Sequence, residues 1–218
     1  MKTCVIIPTY NEAKEISGLV KKILEQGLEV LVVDDGSIDN TAEIAANNGA
    51  AVLRNYDNQG KGASLIKGFN YALNNGFDAV ITMDGDGQHQ PQDIQHFIHL
   101  AKNSDSAIFI GNRMLKTKPM PWLRLLTNKF MSRLISAIAK QDIPDSQCGF
   151  RLIKGEALKR LNLKTSRYET ESEILIESSR LGFKIESVPI RTVYSGQKSQ
   201  IRPFSDTLRF IRFIMKEL

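Results

Sequence analysis

The chain has 218 residues, 42% hydrophobic and 24% charged, with two cysteines and a net charge of +5. That is enough for one hydrophobic core and excludes a disordered chain. Cys4 in an apolar run and Cys148 in a glycine-flanked loop exclude a disulfide-rich scaffold and point to a reducing cytosol. The apolar run 4–7 is stopped by Pro8, too short for a signal peptide. No apolar run reaches the ~20 residues of a membrane span. The basic balance, with a pI near 9.2, implies anionic partners: nucleotide phosphates, a lipid phosphate or an anionic membrane face. Nucleic acid is not expected, because Trp122 is the only tryptophan and the basic residues are not interleaved with exposed aromatics.

Strand and helix patterns alternate. Residues 3–8 read as a buried strand, and Ile16, Leu19, Val20, Ile23 and Leu24 follow at helical spacing up to Gly27. Residues 29–33 form a second strand. Asn40 and Glu43 predict a capping box for a short helix ended by Gly49. Residues 51–53 are a third strand, and Leu65, Ile66, Phe69, Ala72 and Leu73 line a helix closed by Gly76. A fourth strand covers 79–83. Pro91 opens a helix with Ile94, Phe97, Ile98 and Ala101 inward, and a fifth strand covers 107–111.

This repetition predicts an α/β fold with a mostly parallel sheet covered on both faces. Ligands of such sheets bind at the carboxyl ends of the strands. Polar clusters follow those ends: Thr9-Tyr10-Asn11-Glu12, Asp34-Asp35-Gly36-Ser37, Asp84-Gly85-Asp86-Gly87-Gln88 and Asn112-Arg113.

Beyond Arg113 the rhythm changes. Residues 122–140 predict one helix with Leu123, Leu126, Phe130, Leu134 and Ile138 on a stripe. Arg124, Lys129, Arg133 and Lys140 are basic, and the segment holds no acidic residue. A loop 145–151, a short helix, a longer helix near 170–181, a strand 184–193 and a basic segment 195–203 follow. The last element, 204–218, is an amphipathic helix with Leu208, Ile211, Met215 and Leu218 apolar and Arg209, Arg212 and Lys216 basic. Nothing divides the chain, so 1–218 is expected to be one domain, with 1–113 forming its nucleotide-binding half and 114–218 its acceptor half.

Asp84-Gly85-Asp86 is the most informative motif. Residues i and i+2 of an extended segment share a side, so both carboxylates can approach one cation. Oxygen ligands favour Mg²⁺ or Mn²⁺, which would neutralise a leaving diphosphate. An ordinary Asp-Gly turn is the plainer reading. Asp35 can accept hydrogen bonds from a nucleoside, or simply belong to a turn before a helix cap at Asp39 or Asn40. Asn58-Gln59-Gly60-Lys61-Gly62 lacks the spacing of a phosphate loop and reads mainly as a helix start, with Lys61 an outside candidate for phosphate.

Six motifs in order resemble the family-2 glycosyltransferases, in particular the dolichyl-phosphate mannose synthase-like branch: Pro8-Thr9-Tyr10-Asn11-Glu12, Val33-Asp34-Asp35-Gly36-Ser37, Asp84-Gly85-Asp86-Gly87-Gln88-His89, Gly111-Asn112-Arg113, Asp145-Ser146-Gln147-Cys148-Gly149-Phe150-Arg151 and Val188-Pro189-Ile190-Arg191. The resemblance covers nearly the whole chain. It implies a GT-A fold, a nucleotide-sugar donor and inversion at the anomeric carbon. It implies that Pro8, Tyr10, Glu12 and Asp35 line the nucleoside pocket with Asp84. It implies that Asp84, Asp86 and the Gln88 side-chain oxygen hold the metal, and that Arg113 faces a phosphate. Asp145 falls where such enzymes place an acidic residue near the acceptor, and Arg191, Lys198 and Arg202 are the cations of the late loop. One departure stands out: many relatives place a basic residue directly after the loop serine, whereas Ser199 is preceded by Lys198 and followed by Gln200.

Two acceptors differ chemically. A saccharide hydroxyl needs a general base, for which Asp145 is the candidate. A polyprenyl phosphate is already anionic and needs cations instead, which Arg113, Arg191, Lys198 and Arg202 would supply. The helix 122–140 either packs its stripe into the core or rests on an anionic bilayer. The expectation is a cytoplasmic enzyme, peripheral at the inner membrane face, acting on a polyprenyl phosphate. A hydroxyl acceptor and a non-catalytic nucleotide-sugar binder are the alternatives.

Overall fold

The most apolar stretches of the chain are short and β-branched, and in the computed structural model they pair into one seven-stranded sheet. The structure describes residues 1–115, 120–191 and 203–217. In chain order the elements are β1 (Thr3–Thr9), α1 (Ile16–Leu24), β2 (Glu29–Asp34), α2 (Thr41–Asn47), β3 (Ala51–Arg54), α3 (Lys61–Asn74), β4 (Ala79–Thr82), α4 (Ile94–Asn103, entered through a tight turn at Pro91–Asp93) and β5 (Ile108–Asn112). They are followed by α5 (Trp122–Ala139), β6 (Arg151–Lys154), α6 (Gly155–Leu158), α7 (Glu169–Arg180), β7 (Ile185–Pro189) and α8 (Pro203–Glu217). The strand order is β3-β2-β1-β4-β6-β5-β7. All pairings are parallel except those of β6.

Register explains where a site can form. Thr9 pairs with Asp34, and Ile6 with Thr82, so β1, β2 and β4 end along one rim. Because β6 runs the other way, its first residue, Arg151, lies opposite both Thr82 and Ile110. The loop 145–150 therefore arrives at the same rim. Asn112 pairs with Pro189, which delivers Arg191 there too.

Two sequence expectations need correction. The strand β6 was missed: it has four residues and a charge at each end, too little for a period-two signal. The Asn40–Glu43 capping box does not form; Asn40 makes no side-chain cap, and Asp39 Oδ1 accepts from Thr41 N at 3.0 Å instead. The apolar stripe of α5 does not pack into the core along its first half. Trp122, Leu123, Leu126 and Phe130 are 75%, 60%, 59% and 65% exposed. The inward face is Asn128, Ser132, Ile135 and Ala139. Its small hydroxyls tie down the incoming loop: Ser146 N donates to Ser132 Oγ at 2.9 Å, and Ile143 N to Ser136 Oγ at 3.0 Å. On α8, likewise, Phe213 and Ile214 are buried while Ile211 and Met215 are exposed.

Phe97 of α4 is fully buried and stacks on Phe150 with ring centroids 4.5 Å apart. Phe97→Ala is expected to cost about 3–5 kcal/mol, read from chemical denaturation midpoints. A loss below about 1 kcal/mol would contradict this packing.

Candidate active site

At the rim, Asp84 follows β4 and Asp86 comes two residues later. The turn is self-held: Gln88 N donates to Asp86 Oδ1 at 3.0 Å. The contact shown for Gln88 is thus through its backbone; the side-chain ligand role stays an expectation. His89 is buried, and its Nδ1 lies 3.4 Å from Asp84 N. Burial pushes His89 down to about 4 despite Asp84 nearby, so it is neutral near pH 7.

The loop before β6 shapes the wall facing Asp84. Thr82 Oγ1 donates to Gly149 O at 2.7 Å. A Cβ on Gly149 would lie 2.7 Å from both Asp84 oxygens, so only glycine lets the loop approach this closely. Arg151, 1% exposed, holds the loop from behind: its Nε donates to Cys148 O at 2.8 Å, Nη2 to Ser146 O at 2.9 Å, and Nη1 to Glu171 O.

The charges of the site interact strongly. Burial alone would raise the Asp84 carboxyl, but the Lys61 ammonium, with Arg113 adding to it, holds it well below the ordinary carboxylate range. Asp86 is raised, by burial first and by the Asp84 charge second. Glu12, at the end of β1, is pushed up to about 7 by burial and then by Asp86 and Asp84. Three acidic groups from two strand ends therefore face one region, and Asp84 is the one kept firmly ionised. Arg124 on the first turn of α5 also lowers Asp86 electrostatically. The sequence leaves Arg124 on a basic face that is either solvated or set against a bilayer; its electrostatic effect on Asp86 has no sequence signal, because it depends on how α5 crosses the rim.

Lys61 reaches further in than its motif suggested. It is the first residue of α3, and its Nζ donates to Asp84 Oδ1 at 2.5 Å and to Glu171 Oε1 at 3.0 Å. The start of α3 is pressed against 166–170: a Cβ on Gly62 would fall 1.9 Å from Thr170 Oγ1, and Ala63 N donates to Ser166 O at 2.8 Å. Asp35 fixes the same loop. Its Oδ1 accepts from Asn55 Nδ2 at 2.8 Å and Gln59 N at 3.0 Å, and its Oδ2 from Gly60 N at 2.8 Å. Asp35 is buried, and the contacts shown are with its own chain rather than with an open pocket. Pro8 pairs with Val33 in the sheet, and Tyr10 is half-buried beyond the end of β1.

Asp145 differs from expectation. Both its oxygens accept from Arg113: the backbone N at 3.0 Å, Nε at 2.7 Å and Nη2 at 2.8 Å. The side chains are 0% and 6% exposed. In this arrangement Asp145 braces Arg113 from both oxygens. Two guanidinium nitrogens of Arg113 are correspondingly committed inward. Arg191 is exposed, with its backbone N on Asp93 Oδ2 at 3.1 Å. Lys198 and Arg202 lie outside the described residues.

The donors suit a hard divalent cation. They are carboxylate oxygens, and one is held ionised. Among the described residues no group of three or more His, Cys, Asp or Glu side chains is poised around one point. Such a site needs further oxygens from water and a diphosphate, which is how Mg²⁺ sites are commonly completed.

The glycosyl transferase family 2 model matches residues 4–161. The chain is 33% identical over 214 residues to the UDP-N-acetylglucosamine–dolichyl-phosphate N-acetylglucosaminyltransferase of Methanococcus voltae, covering 88% of this chain and 85% of the relative. It is 34% identical over 190 residues to the dolichol-phosphate mannosyltransferase of Pyrococcus furiosus, covering 81% and 53%. The mannosyl-3-phosphoglycerate synthase of Rubrobacter xylanophilus shares the fold with a TM-score of 0.80 at 20% identity, covering 99% of this chain and 73% of that one. The glucosyl-3-phosphoglycerate synthase of Mycobacterium tuberculosis, solved with Mn²⁺, UDP-glucose and phosphoglyceric acid, aligns with a TM-score of 0.79 at 18% identity over 99% and 79%. With its strand order, its rim carboxylates and these likenesses, the chain belongs to glycosyl transferase family 2 and is a glycosyltransferase of GT-A fold.

Proposed function

We propose that the enzyme moves a sugar from a nucleoside-diphosphate sugar onto a polyprenyl phosphate at a membrane surface, with inversion at the anomeric carbon and with Mg²⁺ or Mn²⁺ held by Asp84 and Asp86. When bound, the ion supplies charge neutralisation for the departing diphosphate. Asp84 and Asp86 hold and orient it. The loop braced by Asp35 positions the nucleotide, with Pro8, Tyr10 and Glu12 at its border. The acceptor's phosphate oxygen attacks the anomeric carbon as the bond to the diphosphate breaks, so no proton need be removed.

The observation that carries this acceptor is the closed Arg113–Asp145 pair. With both Asp145 oxygens held by Arg113, an acceptor that is already ionised suits the site because it needs no such base. Relatives that act on dolichyl and polyprenyl phosphates, by their names, support the same reading. Arg113, Arg191, Lys198 and Arg202 are proposed to flank the acceptor phosphate, with Arg124 beside Asp86.

The outward apolar face of α5 supports a peripheral membrane position. Trp122, Leu123, Leu126 and Phe130 are exposed together with Arg124, Lys129 and Arg133, a combination that suits the boundary of an anionic bilayer. No helix among the described residues is long and apolar enough to cross a membrane.

Asp86→Ala, or chelation of the wild type, is expected to lower transfer by about 100-fold or more, since the metal contributes several kcal/mol to the transition state. The unfolding midpoint should hardly change, because Asp86 lies in a turn at the strand end. Released nucleoside diphosphate is the readout, and full activity in excess chelator would overturn the metal role.

Labelled sugar should partition into organic solvent with a polyprenyl phosphate acceptor. Phe130→Asp should weaken sedimentation with anionic vesicles by about tenfold or more, as expected for removing one buried aromatic side chain. Product formed only on free saccharides, with no vesicle binding, would overturn the acceptor and the membrane reading together.

A further inference from the structure

Lys61 is an ammonium held between two carboxylates from separate elements, and one of them is the carboxylate assigned to the metal. Its Nζ lies 2.5 Å from Asp84 Oδ1 and 3.0 Å from Glu171 Oε1, and its side chain is 19% exposed. Neither end of this arrangement is loose. Lys61 stands at the start of α3, where Asp35 grips Gly60 and the 166–170 segment leaves no room for a side chain at position 62. Glu171 is fixed through its carbonyl by the buried Arg151.

We propose that Lys61 is a resident counter-cation that makes metal binding depend on donor binding. It occupies Asp84 in the free enzyme and turns to the donor diphosphate when the divalent ion takes that oxygen. Glu171 is its anchor throughout. This rests on the reading of Asp84 and Asp86 as metal ligands.

An ammonium and a divalent cation compete for the same oxygen, and like charges a few ångströms apart in a partly dry site repel strongly. A metal ion arriving alone must therefore displace Lys61 or sit beside it. A diphosphate changes the balance by bringing acceptor oxygens for both cations. An ammonium has three N–H donors, and the two carboxylates account for two of them. The nucleotide thus raises metal affinity, and by linkage the metal raises nucleotide affinity by the same factor. A cation swap of this kind also keeps Asp84 from standing bare and half-buried between turnovers.

The test is binding, not turnover. Mn²⁺ binding to the full chain is followed by electron paramagnetic resonance, with and without UDP or GDP, and metal-free nucleotide binding by calorimetry in chelator. For Lys61→Met, Mn²⁺ alone should bind about tenfold tighter than to wild type, while metal-free nucleotide should bind about tenfold weaker, within the usual range of coupling between sites. The opposite signs are the signature: a lysine that merely supported the fold would weaken both when removed. If Lys61→Met does not fold by circular dichroism, Lys61→Gln is measured instead, since its amide can still donate to both carboxylates. Wild type that binds Mn²⁺, with a variant that binds it no tighter, overturns the swap and leaves the metal site standing. Wild type that binds no Mn²⁺ even with nucleotide overturns the metal site and the swap with it.

Discussion

The site depends on keeping Asp84 ionised in a place that burial would otherwise neutralise. A half-buried carboxylate beside Asp86 and Glu12 should take up a proton. Lys61 prevents this, and Asp86 and Glu12 carry the cost as raised affinities for protons. Much of the surrounding structure serves that contact. Asp35 holds the loop that starts α3, Arg151 holds the first turn of α7, and Gly149 lets the loop before β6 close over the carboxylate without touching it. Residues that look like separate motifs in the chain are parts of one electrostatic arrangement.

The topology makes that arrangement possible. Four parallel strand ends would place only the first half of the chain at the rim. The antiparallel β6 reverses the direction of the chain, so that the loop preceding it meets the loops that follow β1, β2 and β4. The same reversal brings Arg113 and Asp145 together, although they lie on either side of α5 in sequence. Their closure buries a guanidinium–carboxylate pair beside the rim.

The sheet and its covering helices were legible because apolar runs and glycine stops are local signals. The polar clusters after strand ends were legible for the same reason, and they mark the rim. Side-chain partnerships were not. Asp35, which its motif suggests as a nucleoside contact, also braces the loop before α3, and Asp145, suggested as a base, is paired with Arg113. Lys61 is the helix start its motif suggests, and its ammonium also sits on Asp84. Each outcome depends on a contact between distant parts of the chain, which no spacing within a motif records. The α5 stripe left two placements open for a different reason: large apolar residues at helical spacing signal an amphipathic face but not which side faces the core. Here the core side is the small one, because the loop 143–146 needs hydroxyls at Ser132 and Ser136.

The most direct test is a crystal structure with Mn²⁺ and a nucleoside diphosphate, using anomalous scattering to locate the metal. One Mn²⁺ is expected between Asp84, Asp86 and the diphosphate, with Lys61 Nζ withdrawn from Asp84 but still on Glu171. A metal bound away from these carboxylates, or Lys61 unmoved on Asp84 beside a bound nucleotide, would contradict it.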